Sequence, residues 1–217
     1  MEKGKALTNL TIIVILLTFG FGCQGFKSPF GGAGGVSEST DPKDAVQAAF
    51  RKFMDAKFYH SIVKTKNAQA EIETEIDFNA PDRFWIKNNI SNYNSEIIIT
   101  GGDSYSRTND GKWTKMPAGQ APSAKDMRGS MTDEYFTSMK DFEAAGRENL
   151  NGKETVVYKF KSSYGGESAS KVWVATDTGL PLRVDTEGVY GGTPVQTSIV
   201  YDYDKETKIE APKLVNQ

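Results

Sequence analysis

The chain has 217 residues, with 26 basic and 28 acidic side chains and a formal net charge of −2. This near-balance argues against a nucleic-acid-binding surface, which needs a basic stripe. The single cysteine, Cys23, excludes an internal disulfide, and the single histidine, His60, excludes a metal site built from two histidines.

The N-terminal segment has the build of a bacterial secretion signal. Lys3 and Lys5 precede an apolar run over residues 10–17, which is followed by a short Gly/Phe segment ending at Gly22. An apolar centre of about 12 residues would extend roughly 18 Å as a helix. Crossing a bilayer requires roughly 30 Å. The sequence therefore predicts a signal peptide over residues 1–22 rather than a spanning helix.

Cys23 directly follows this segment and resembles the cysteine of a lipobox, the site cut by the lipoprotein signal peptidase. Gly22 fits such a site, whereas Gly20 stands where an aliphatic residue is usual. We expect Cys23 to become the acylated N-terminus of the mature chain, since two or more acyl chains such as palmitate anchor a protein stably. An ordinary cleaved signal and an uncleaved anchor remain alternatives.

Residues 23–40 join this cysteine to the rest of the chain and are rich in glycine and serine, a composition typical of a flexible tether. The protein is therefore expected in the bacterial cell envelope, outside the cytoplasm and anchored to a membrane by lipid. Gln24 stands where some Gram-negative lipoproteins carry an Asp that retains them on the inner membrane. Its presence favours the outer membrane in a cell that has one.

The folded region begins with a predicted helix. Asp41 is a suitable N-cap, and Pro42 occupies the first helical position, where its missing N–H costs no hydrogen bond. Apolar residues then recur at spacings of three and four, which predicts a helix with one apolar face. These residues are Ala45, Val46, Ala49, Phe50, Phe53 and Met54. A single amphipathic helix needs an apolar surface to cover.

Most of the remaining chain has the pattern of antiparallel strands. Over residues 69–78 small, β-branched and aromatic residues alternate with acidic or amide ones, so one face of this strand is dry and the other is acidic. Turn sequences rich in Asn, Asp and Gly separate most of the later strands. The other predicted strands cover residues 57–66, 83–88, 96–100, 103–108, 112–115, 155–161, 171–176, 180–186 and 197–204.

A second helix is predicted over Thr132–Ala145, after a loop rich in Pro, Gly, Ala and Ser. Its apolar residues share one side of such a helix. These residues are Tyr135, Phe136, Met139 and Phe142. The fold class is therefore mainly β (α+β), a long antiparallel meander curled around helices.

Few residues offer catalytic chemistry. His60 lies in a strand-like segment, and no serine sits in a recognisable nucleophile motif. Glu71, Glu73, Glu75 and Asp77 share one strand face, with neighbours about 6.6 Å apart. Such a row could hold a divalent cation or act as a glycosidase pair, although a solvated acidic face explains it more simply. We predict a protein that is not an enzyme and needs no metal or cofactor, with an envelope hydrolase built on this row as an alternative.

Several strand and hairpin segments, together with the helix of the form DPxxAVxxAF, resemble a known family. The segments are Ile97–Ile99, Gly101–Ser106, Gly111–Pro117, Gly152–Tyr158, Val172–Leu182 and Tyr201–Pro212. They resemble the LolA/LolB-like superfamily of periplasmic lipoprotein carriers and the LppX/LprG-type lipoproteins that share its architecture. The resemblance covers most of residues 41–212 and consists of hairpin pieces rather than catalytic signatures.

The resemblance implies one domain over residues 41–217, an unclosed half-barrel whose curved sheet holds helices and an apolar cavity on its concave side. In the family this cavity takes the acyl chains of a lipoprotein or glycolipid. The residues expected to line it are Ile72, Ile76, Phe78, Phe84, Ile86 and Ile98, with Phe136, Met139 and Phe142 as a lid. The same side chains would equally form a filled core, and this alternative stays open.

The sequence and the resemblance together predict a membrane-anchored lipoprotein that binds the acyl chains of a lipid or lipoprotein, for transport, reception or presentation. With Cys23 acylated, the tether reaches roughly 20–25 Å, which favours a fixed receiver over a free shuttle. Related half-barrels also serve as periplasmic regulators. A sensor or interaction module that contacts an envelope partner protein is therefore the alternative.

Overall fold

A computed structural model describes residues 41–90, 93–117, 120 and 131–214. The helices in these ranges are α1 (Pro42–Asp55) and α2 (Asp133–Ser138). The strands are β1 (Phe58–Lys66), β2 (Glu71–Asn79), β3 (Arg83–Ile90), β4 (Tyr93–Thr100), β5 (Asp103–Thr108), β6 (Thr114–Lys115), β7 (Met139–Leu150), β8 (Lys153–Ser162), β9 (Ser168–Ala175), β10 (Pro181–Tyr190) and β11 (Thr193–Asp202).

The predicted signal peptide, the acylation of Cys23 and the tether over residues 23–40 lie outside the described residues. Within those residues, neither helix has the length and apolar character needed to cross a membrane.

Helix α1 begins where the sequence predicts. The Asp41 carboxylate accepts hydrogen bonds from the backbone N–H groups of Lys43 and Asp44, at 2.9 and 3.2 Å. These bonds satisfy two N–H groups that the helix itself cannot pair. The buried residues of α1 are Ala45, Val46, Ala49 and Phe50. The predicted apolar face is thus confirmed, and the helix packs mainly against β7, β9 and β10.

All eleven strands form one antiparallel sheet in the order β6-β5-β4-β3-β2-β1-β11-β10-β9-β8-β7. The first and last strands pair in the middle, where Ser61 aligns with Tyr201. The edges β6 and β7 do not pair with each other, so the sheet is not closed into a barrel. This confirms the predicted mainly β, unclosed architecture, and every strand expected from the sequence is present with ends shifted by a few residues. The face that carries α1 is called the concave face, and the other the convex face.

The turns divide the sheet into two ends. The upper end holds the β1–β2, β3–β4, β8–β9 and β10–β11 turns, and the lower end holds the β2–β3, β4–β5, β7–β8 and β9–β10 turns. Lys43 shares a pocket with Met139, which pairs with Ser162 beside the β8–β9 turn. Lys52 Nζ donates to the backbone oxygen of Thr178 in the β9–β10 turn, at 2.9 Å. Helix α1 therefore runs from the upper end to the lower end.

The prediction of a second helix is wrong from Met139 onward, where the chain forms β7. Two register shifts interrupt the pairing of β7 with β8, and Asp141 and Gly146 have φ angles of +56° and +96°. A bulge inserts an extra residue into a strand, so Met139 and Phe142 both pack against the core although they are three residues apart. This spacing imitates that of a helix, which is why the sequence pattern was misleading.

A C-terminal strap, residues 204–214, continues from β11 over the convex face. Thr207 Oγ1 donates to Asp77 Oδ1, and Asn79 Nδ2 donates to the Thr207 backbone oxygen, each at 2.7 Å. Ile209 is buried in an apolar cluster of its own on this face, with Ile98, Tyr105, Trp85 and Trp113. The strap therefore covers part of β2–β5 from outside.

Candidate functional site

Aromatic side chains fill the lower end of the concave face. The ring centroids of Phe53 and Tyr59 lie 5.0 Å apart, those of Tyr59 and Phe78 5.2 Å, and those of Phe78 and Phe84 4.8 Å. Burial, and next the neighbouring Tyr59, raise the pKa of the Tyr201 hydroxyl above that of an exposed tyrosine. The lower end is a packed, dry core.

Beyond these rings, the concave face of β1–β4 carries apolar side chains that are only half-buried. In the part of the chain that the structure describes, α1 packs mainly against β7, β9 and β10, and α2 against β7. The half-buried set is called the trough and comprises Val63, Ile72, Ile76, Ile90 and Ile97. Strand pairing aligns Ile76 with Ile86 and Ile86 with Ile97, so one apolar row crosses three strands. The trough is the candidate functional site.

The residues predicted to line an apolar cavity fall into separate groups. Two lie in the trough, Ile72 and Ile76. Three are buried in the core beside it, Phe78, Phe84 and Ile86. Three pack against the core from α2 and β7, namely Phe136, Met139 and Phe142. The Phe142 ring stacks on Phe160 of β8 with centroids 6.0 Å apart, so it lies on a strand beside the core and not on a helical lid.

The prediction for Ile98 is wrong, because this side chain lies on the convex face. It is 7% exposed and packs with Tyr105 and Ile209. Its neighbours Ile97 and Ile99 pack against the concave core instead. Successive side chains of a strand point to opposite faces, and a run of three isoleucines does not reveal which ones face inward.

A polar row crosses the trough, and sequence reasoning missed it. Thr74 Oγ1 donates to Asn88 Oδ1 at 2.8 Å, and Asn88 Nδ2 donates to Ser95 Oγ at 3.3 Å. Asn88 is only 6% exposed, so these two bonds hold its amide in place. Ser95 Oγ serves as the acceptor, which leaves its O–H group as a donor. The alternation could have revealed the row, because Thr74 is in phase with Ile72 and Ile76.

Two open pockets lie outside the trough, with volumes of about 310 and 300 Å3. The first adjoins the strap at the lower end and is lined by Asn79, Arg83, Glu206, Lys208 and Ile209. The second lies between α1 and α2 and is lined by Lys43, Gln47, Arg51, Asp133, Phe136, Thr137 and Met139. Charged and polar side chains dominate both linings, which suits neither pocket to an acyl chain.

The acidic row Glu71–Asp77 lies on the convex face and is engaged with neighbouring strands. Glu75 accepts from Lys87 Nζ at 2.8 Å, and Asp77 is buried with its Oδ1 3.0 Å from His60 Nδ1. Among the described residues, no three His, Cys, Asp or Glu side chains are grouped as a metal ion would require. These contacts stabilise the sheet, and nothing in them resembles a pair of carboxylates facing a substrate cleft.

No protein-family model matches the chain, and no curated protein matches it. Solved structures do share its fold. LprF from Mycobacterium bovis has a TM-score of 0.58 at 11% identity, over 83% of this chain and 99% of LprF. The lipoprotein LppX from Mycobacterium tuberculosis has a TM-score of 0.55 at 14% identity, over 79% of this chain and 100% of LppX.

A LolA superfamily protein from Nitrosomonas europaea also matches, with a TM-score of 0.33 at 11% identity over 79% of this chain and 96% of its own. At such identities the similarity concerns the fold alone, and LprF and LppX carry it. The protein therefore has the fold of LprF and LppX, the architecture that its sequence resembles.

Proposed function

We propose that this protein is a membrane-anchored envelope lipoprotein that holds the acyl chains of a lipid or lipoprotein in the trough. The observation that supports this proposal is that the apolar side chains of the trough are only half-buried. They lie on β1–β4, whereas the two described helices pack mainly against other strands. Covering apolar surface gains about 25 cal/mol per Å2. A flexible hydrocarbon chain can follow such a curved surface, and its binding needs no catalytic group.

The packed aromatic rings at the lower end suggest how the proposed ligand would be oriented in the trough. Phe78 and Phe84 are fully buried at the lower end, so an acyl chain in the trough would end against this aromatic floor. Ile72 and Ile90 lie near the upper-end turns of β2 and β3. The polar end of the ligand would therefore lie towards the upper end.

The polar row suits an ester-linked chain. Among the described residues, the Ser95 O–H group donates no hydrogen bond, so it could bind an ester carbonyl beside the apolar row while Asn88 holds the serine oxygen from the other side. A carbonyl buried in an apolar surface needs such a donor. The proposed ligand is therefore an acyl ester rather than a plain hydrocarbon.

Acylation of Cys23 remains part of the proposal. Residues 24–40 would hold the domain within roughly 20–25 Å of a membrane, in the outer membrane if the cell has one. A protein with this reach would receive or present lipid at that membrane rather than shuttle between two membranes.

The test is native mass spectrometry and a fluorescent acyl-probe titration on the full protein purified from a bacterial envelope. Ile72→Glu and Ile90→Glu place a carboxylate in the trough, where desolvation of the charge opposes probe binding. We expect co-purifying lipid in the parent and at least tenfold weaker probe binding in both variants.

Ile62→Glu is the matched control, because Ile62 is half-buried in β1 on the convex face. It should bind the probe like the parent, and thermal melting checks that all variants are folded. A parent that carries no lipid and takes up no probe contradicts the proposal. Capture of an envelope protein partner by such an empty chain would favour an interaction module instead.

A further inference from the structure

Two turns at the upper end carry exposed apolar side chains. Tyr93 begins β4 and is 37% exposed, and Val189 precedes the β10–β11 turn and is 49% exposed. Among the described residues, the only other large apolar side chain with comparable exposure is Leu214 of the strap. Two of these three exposed apolar side chains therefore lie at the end of the sheet opposite the packed aromatic rings.

Tyr190, next to Val189, is held against two glycines. A Cβ atom on Gly188 would lie 3.2 Å from Tyr190 Cε2, and one on Gly166 would lie 3.5 Å from Tyr190 Cδ1. The ring therefore occupies space that side chains at these positions would take. The Tyr190 ring thus packs between the β8–β9 turn and strand β10. Val189, its neighbour, therefore lies in a part of the upper end that this packing holds in place.

The described part of the chain begins at this same end. Helix α1 runs from the upper to the lower end, because Lys43 neighbours Met139 and Lys52 reaches the β9–β10 turn. Residues 24–40, a stretch of 17, separate Cys23 from Asp41. A membrane that holds an acylated Cys23 would therefore lie on the side of the domain where Tyr93 and Val189 are exposed.

We propose that Tyr93, Val189 and Tyr190 form a membrane-contacting rim that enters the interface of a lipid bilayer. This inference rests on the proposed function, because the rim would let a lipid pass directly between the bilayer and the trough. Tyrosine suits this position, since its ring is apolar and its hydroxyl stays hydrated at the level of the headgroups.

The charges near the rim point to a neutral bilayer surface. Among the described residues, the exposed charged side chains at the upper end include Lys66, Lys140, Glu71, Glu167 and Glu187, so basic and acidic groups are mixed there rather than clustered by sign. Attraction to anionic lipid requires clustered Lys and Arg. The rim should therefore contact bilayers made of phosphatidylcholine alone, and the extent of this contact should change little with salt concentration. A weak contact is sufficient, because a tether raises the effective concentration of the domain at the surface.

The test places an environment-sensitive fluorophore on single cysteines in the full protein, reconstituted by its own lipid anchor into phosphatidylcholine vesicles. Val189→Cys and Tyr93→Cys report on the rim, and Thr178→Cys reports on the lower end. The parent, whose only cysteine is Cys23, gives the labelling background. We expect nitroxide-bearing lipids to quench the two rim labels at least threefold more than the label at Thr178. Equal quenching at both ends would overturn the proposal.

A second measurement separates the rim from the trough. Val189→Asp and Tyr93→Asp should slow transfer of a fluorescent acyl lipid from vesicles to the protein at least fivefold. Val189→Asp should leave binding of a dispersed acyl probe unchanged. Leu214→Asp adds the same charge to an exposed apolar position outside the rim and should transfer lipid like the parent.

The two proposals fail in different ways. Unchanged transfer in both rim variants, with the parent still loading lipid, would refute the rim and leave the trough intact. A parent that binds acyl lipid neither from vesicles nor as a dispersed probe would refute acyl binding in the trough. The difference in quenching between the two ends would still decide whether the rim contacts the bilayer.

Discussion

Ile97 and Ile98 are neighbours in β4, yet their side chains belong to two apolar clusters on opposite faces of the sheet. Ile97 packs against the concave core and contributes to the trough, whereas Ile98 packs with Ile209 of the strap. One strand therefore supports the candidate site on one face and the attachment of the C-terminal strap on the other.

Alanine at each position should separate the two roles. Ile98 is almost completely buried, so we expect Ile98→Ala to lower the free energy of unfolding by about 2–4 kcal/mol. The affinity of this variant for the acyl probe should stay unchanged. Ile97 is half-buried, so Ile97→Ala should cost about 1 kcal/mol and weaken probe binding about threefold. Urea denaturation and probe titration measure both effects. Equal loss of probe affinity in the two variants would contradict the assignment of faces.

The convex face also carries a carboxylate whose ionisation should affect stability. Glu148 accepts hydrogen bonds from Lys171 Nζ at 2.8 Å and from Trp173 Nε1 at 2.7 Å. The bond from Lys171, and next that from Trp173, lower the pKa of Glu148 in the folded protein. A lowered folded pKa stabilises the fold above the unfolded pKa of about 4.3, and this stabilisation disappears as the pH falls through the folded value.

Glu148→Gln should therefore melt at a lower temperature than the parent at pH 7, and the difference should shrink below about pH 4. Calorimetry or circular dichroism at the two pH values gives both melting temperatures. The control is Glu143→Gln, because Glu143 lies on the same strand and its carboxylate is 4.0 Å from Lys159 Nζ. A difference for Glu148→Gln that stays constant down to pH 3 would show that the loss is not electrostatic.

Much of the fold could be predicted from local patterns. Asp41 and Pro42 predict the start of α1 because capping depends on neighbouring residues alone. The strands follow from a period of two and from glycine turns. Strand β7 could not be predicted in this way. Its bulges shift the alternation, so the inward residues Met139 and Phe142 adopt helical spacing.

The candidate site was predicted less completely than the fold. Ile72 and Ile76 could be assigned to the inner face because they alternate with acidic residues. Phe78 and Phe84 were expected to line a cavity, but contacts with Tyr59 and Phe53 bury them in the core. Such burial depends on α1 and β1, which are distant in sequence. The position of the strap over Ile98 likewise depends on long-range packing.

The bulge in β7 offers a test of the strand that the sequence pattern missed. Gly146 has a φ angle of +96°, and a Cβ atom there would meet no other atom within 4 Å. Gly146→Ala should therefore cost about 1–2 kcal/mol of stability through backbone strain alone. Gly146→Asn should cost less, because Asn adopts positive φ more readily than Ala. Chemical denaturation of the two variants gives this comparison directly. An Ala variant as stable as the parent would mean that residue 146 has an ordinary strand conformation, which would contradict the bulge between Ala144 and Arg147.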